Sequence, residues 1–137
     1  MGVARSPWIA AVLAFATVYL AVGVLFPNPP AGNPTQFAWR LAAWLTCAVA
    51  FVTHVGLEDL RFRNSPTGTA FHAAMAVALG AFGLAGAANV HALLSGAGNG
   101  RLLAIALAVW PAMTAVPAFL VAFAAAVGLR GVRRRGQ

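Results

Sequence analysis

Negative charge is almost missing from this chain: Glu58 and Asp59 are its only acids, and its nine cations are all arginine, without a single lysine. The two acids are adjacent and stand at helix-neighbour spacing from Arg61 and Arg63, so they read as local charge partners, Glu58 with Arg61 and Asp59 with Arg63, rather than as a general acid and base. Charge of either sign is scarce. A soluble domain carries it on about a quarter of its residues, whereas here 8% are charged, 61% are apolar and the mean hydropathy is +0.83. Cysteine is nearly absent too: Cys47 stands alone in the middle of an apolar run, which excludes an intramolecular disulfide. No HExxH occurs, no serine stands beside a histidine, and no glycine-rich loop follows a strand, so hydrolase and transferase chemistry has no visible seat. The formal charge of +7 does not imply nucleic acid, because the arginines sit at the ends of apolar runs and no soluble basic face carries interleaved aromatics.

What is present is hydrocarbon in helix-length runs. The chain reads as an all-α membrane protein, a single domain over 1–137 with four transmembrane helices at about 8–26, 35–57, 66–94 and 102–129 and a basic tail at 130–137. The opening Met1 to Trp8 resembles the charged start of a secretory signal, but the run from Trp8 to Phe26 is long enough to cross (~28 Å as a helix) and no small-x-small site closes it. Prolines at 27, 29, 30 and 34 stop the first helix; Asn33, Pro34 and Gln36 then have the order of a cap, a first helical residue and a capping-box partner. Ser65 and Pro66 repeat the cap-and-proline start for the third helix. The last run would be ~42 Å long, more than a bilayer core of ~30 Å, and Pro111 and Pro117 are expected to bend it, with Thr114 placed to satisfy a carbonyl they free.

Arg5, Arg61, Arg63, Arg130, Arg133, Arg134 and Arg135 lie on one predicted side, against Arg40 and Arg101 on the other. That bias predicts an up-down bundle with both termini cytoplasmic, in a bacterial cytoplasmic membrane, with the last four arginines attracting anionic lipid.

Two helix faces carry the finer expectations. At alternating spacings of four and three, Arg40, Trp44, Cys47, Phe51, His54 and Glu58 form one stripe, which is expected to face protein. The third helix offers a smooth seam at Ala73, Ala76, Gly80, Gly83 and Ala87. The short connector makes the second and third helices a hairpin in which the stripe meets the seam. In that hairpin His54 and His72 share a depth, and a polar network of Arg40, His54, Glu58, Asp59 and His72 is expected. His91, with Asn89, belongs to the opposite end.

These residues support a small polytopic membrane protein without a catalytic site, an accessory or structural subunit that packs with itself or with another membrane protein. The alternative is a b-type haem-binding electron-transfer subunit ligated by His54 and His72, since facing imidazoles can hold haem. A small transporter is the third class. It would need an ionisable carboxylate inside the bundle, and the only acids stand in the connector.

Overall fold

A computed structural model describes residues 7–26, 28–96 and 99–135. They form four helices: α1 (Pro7–Leu25), α2 (Gln36–Gly56), α3 (Pro66–Ser95) and α4 (Gly100–Arg135). All four are long and apolar enough to cross a membrane.

The expected starts and stops are largely met, with local differences that have visible causes. Ser65 caps α3 by accepting from the Gly68 amide at 3.1 Å, with Pro66 in the first turn. Gly96 ends the helix at φ +64°, where the absence of a Cβ removes the cost of the left-handed conformation. The start of α2 differs. The Asn33 carbonyl oxygen of the side chain accepts from the Thr35 amide and hydroxyl, and Gln36 donates to the Pro29 carbonyl instead of closing a capping box. The proline-rich loop thus takes the Gln36 side chain, and the helix begins one residue later than predicted.

Beyond Gly56 the chain does not leave helical geometry but loosens into a π-helical turn, Leu57–Arg61. This turn holds Glu58 and Asp59, and both are buried. The acids are therefore inside the protein rather than in an exposed connector. A reversal at Arg63, a non-glycine residue at φ 53°, then leads into α3.

At its other limit, α4 runs on through the basic segment to Arg135, so residues 130–135 are helix rather than tail. Pro111 and Pro117 are accommodated within it. The Thr114 hydroxyl donates to the carbonyls of Trp110 and Pro111, at 3.1 and 3.0 Å, not to those that the prolines free.

α3 is the central element, packed most extensively on α4 and next on α1. The hairpin of stripe and seam is not what forms: α2 touches α3 only slightly. Gly80 and Gly83 instead receive α1. A Cβ on Gly80 would stand 2.7 Å from Tyr19 Cβ and 3.1 Å from the Ala16 carbonyl oxygen, and one on Gly83 would stand 3.2 Å from the Leu20 methyls. Ala73 packs with Ala70, Val55 and Ala122, with Phe51 and Phe119 at the edge. Ala76 is fully buried, whereas Ala87, the last residue of the predicted seam, is exposed. The interior is thus built of alanine and glycine, and the bulky side chains point outward, as expected where the surroundings are hydrocarbon and close backbone approach drives association.

Candidate functional site

Four helix segments converge at one end of the protein. The Glu58 carboxylate sits at the centre, fully buried. The π-turn directs it inward one turn after His54, and α3 supplies His72 from across the interface. His72 Nδ1–H donates to Glu58 Oε2 at 2.8 Å, the Asn64 amide donates to the same oxygen, and His54 Nε2 lies 3.5 Å from Oε1.

Both imidazoles are held against α1. Trp8 lies parallel to His72, with ring centroids 4.3 Å apart, and Phe15 lies parallel to His54 at 4.4 Å. Trp8 and Phe15 of α1 therefore cover the two histidines. His54 is completely enclosed, and neither of its ring nitrogens has a hydrogen-bond partner among the described residues; the same holds for Glu58 Oε1 and the Thr69 hydroxyl.

Asp59 forms the second half of the cluster. Arg130 Nε donates to Asp59 Oδ1 at 3.2 Å, and Arg133 Nη2 pairs with Oδ2. Arg130 Nη2 also donates to the Asn64 backbone carbonyl. Because the Asn64 side chain binds Glu58, this residue joins the two halves into one continuous network across the π-turn, α3 and α4. The expected pairs with Arg61 and Arg63 are replaced: the turn buries the acids while leaving Arg61 and Arg63 exposed, so the carboxylates face α3 and α4 rather than their own neighbours in sequence.

Of the predicted network, the structure brings together His54, Glu58, Asp59 and His72. Arg40 is not part of it. Fourteen positions before His54, and so ~21 Å along the helix, it lines a separate cavity with Trp44, Cys47 and Phe51. The predicted stripe on α2 is therefore only partly covered by protein: Phe51, His54 and Glu58 pack inward, whereas Arg40 and Trp44 are exposed at the border of the open space. At that same end Asn89 donates to the carbonyl of Leu103 at 3.0 Å and ties α3 to α4, while His91 is exposed.

Three participants were not anticipated from the sequence. Asn64 was visible only as a connector residue, and nothing local marks it. Arg130 and Arg133 carried a signal: a chain with two acids and a terminal group of arginines on the same predicted side leaves few places for those acids to find a cation.

The room available here is limited by how closely the groups crowd one another. Axial ligation of haem needs the space between two imidazoles clear for iron and its macrocycle; here the Glu58 carboxylate lies between His54 and His72, and each ring has an aromatic neighbour stacked on it. The residues do not fit that group. Among the described residues, no three His, Cys, Asp or Glu side chains are placed to hold a metal ion. No protein-family model, curated protein or solved structure matches this chain.

Proposed function

We propose that this is a non-catalytic membrane subunit that acts by helix packing, with itself or with another membrane protein. Its setting is a bacterial cytoplasmic membrane, with alternately directed helices and both termini on the cytoplasmic side. The polar cluster serves as a clamp that closes the bundle at that side, and the exposed Arg134 and Arg135, beyond the Asp59 pair, meet anionic headgroups there.

The observation that carries this reading is the outer face of α4. Only Ala122 and Ala126 of its 36 residues are buried. Val109, Met113, Val116, Leu120, Phe123 and Val127 are exposed at alternating spacings of four and three. Repeating bulk at that interval forms a seam along which a second helix can lie. Proton-coupled transport receives less support: Glu58 is now inside the bundle, but it is ringed by His54, His72 and Asn64 and borders no part of the cavity.

Cysteine crosslinking in native membranes tests the proposal. In a Cys47→Ser background, Leu120→Cys should give a discrete dimer or heterodimer with a bifunctional reagent, while Ala122→Cys, which faces α3, should not. Only monomer at native abundance from Leu120→Cys and from its seam neighbours would remove the reading.

A further inference from the structure

At the end remote from the clamp, α2 parts from α3 and α4 and leaves a cavity of about 680 Å³. That volume falls within the range of roughly 300–1,000 Å³ typical of small-ligand sites. All four helices contribute to its wall, among them Val22, Trp44, Leu84 and Val121, and the wall is overwhelmingly apolar. Thr114 is one of its few polar residues, and its hydroxyl is already engaged by two carbonyls of its own helix.

Tyr19 adds a hydroxyl that has no hydrogen-bond partner among the described residues, and Arg40 is the one charged residue of the lining. It stands near the start of α2, and it and the loop residue Asn28 both border the cavity. The only carboxylate side chains of the chain, Glu58 and Asp59, are at the opposite end and occupied by His54, His72, Arg130 and Arg133. An arginine near the start of a membrane helix reaches for the interface and for an anion there.

We infer that this crevice is a binding site for one anionic phospholipid, whose phosphate is held by Arg40 and one of whose acyl chains fills the space between α2 and the other helices. An apolar slot within the hydrocarbon region has hydrocarbon as its natural occupant. The cation at its rim selects among lipids: a zwitterionic headgroup carries its own ammonium and gains less from a guanidinium, and a neutral isoprenoid leaves Arg40 without a counter-charge. A partner helix would likewise need to bring its own acid. The site is separate from the terminal arginines, and it stands whether or not the α4 seam binds a partner.

Native mass spectrometry of the full chain in mild detergent, with equal phosphatidylglycerol and phosphatidylethanolamine, tests the site. The parent should retain one phosphatidylglycerol with about fivefold preference over phosphatidylethanolamine, the selectivity of one arginine near a headgroup. Arg40→Gln should abolish that preference. Ala118→Trp, which puts bulk into the cavity, should displace the lipid altogether, and the Arg134→Gln/Arg135→Gln double variant should leave its binding unchanged. If Ala118→Trp does not fold, the comparison of Arg40→Gln with the terminal double variant decides alone. No preference in the parent, or one that follows Arg134 and Arg135 instead of Arg40, would overturn the inference. A photoreactive p-benzoylphenylalanine in place of Ala48 should label lipid in native membranes; labelling of a protein in its place would also overturn it.

Discussion

Glu58 and His72, fourteen positions apart and on separate helices, meet at 2.8 Å with the carboxylate fully buried. Through Asn64 the same carboxylate is connected to Arg130, and through Arg130 to Asp59. A buried ionic group is stabilising only when its hydrogen-bonding capacity is met, and removing one partner strands the other. The distinction between keeping and losing hydrogen-bonding capacity therefore predicts how the cluster responds to substitution.

His72→Gln keeps a donor for Glu58 and should retain folding and abundance. His72→Leu removes the donor and should cost on the order of 1–3 kcal/mol, because a buried acceptor loses a partner. Thermal unfolding of both variants in detergent checks this; equal loss in the two would mean that the imidazole itself, and not its donor, is needed.

The Asp59 half should respond asymmetrically. The Arg130 and Arg133 side chains are 34% and 45% exposed, so they can be hydrated when Asp59 is lost, whereas Asp59 is buried. Asp59→Asn is expected to destabilise by about 1–2 kcal/mol, while Arg130→Ala with Arg133→Ala should cost about 3–5 kcal/mol by leaving a buried carboxylate unpaired. Hydrogen exchange should show the last turns of α4 loosening in both. Similar stabilities for the two variants would contradict this arrangement.

Close packing of α1 on α3 gives a third expectation. Gly80→Ala places a methyl within 2.7 Å of Tyr19 Cβ, whereas a Cβ at Gly86 meets nothing within 4 Å. The first should cost ~1–3 kcal/mol through overpacking and the second should be nearly neutral. A Gly80→Ala protein as stable as Gly86→Ala would mean that the helices are further apart than described.

Orientation can be tested by labelling. In a Cys47→Ser background, Ala31→Cys should react with an impermeant maleimide added to intact cells, and Thr67→Cys should react only after permeabilisation. The reverse pattern would invert the arginine-based topology.

The helices themselves were legible because each is a long apolar run closed by local signals such as Ser65–Pro66 and Gly96. The stripe from Arg40 to Glu58 was legible only in its second half, where Phe51, His54 and Glu58 pack inward, while Arg40 and Trp44 stay exposed. What lay outside local sequence was which helix would face it. α3 is lined with alanine and glycine on more than one side, so α1 and α4 could both approach closely, and α2 was left in contact chiefly with α1 and its own turn. The π-turn was equally hidden: a change in helical winding at Leu57–Arg61 swings Glu58 and Asp59 inward, yet leaves no mark in composition. The pairing of Asp59 with Arg130 spans 71 positions, and only the scarcity of acids hinted at it.

The central claim is that the buried acids hold the bundle together, and a double-mutant cycle on Glu58 and His72 tests it most directly. Unfolding free energies of the parent, Glu58→Leu, His72→Leu and the double variant would be measured on the full chain in detergent, since leucine at either position removes the hydrogen bond. Residues sharing a buried network couple by roughly 0.5–3 kcal/mol. The account predicts a favourable coupling in the upper part of that range, so that the double variant is less damaged than the two single losses added together. Strict additivity, with each substitution acting as though the other residue were absent, would contradict it.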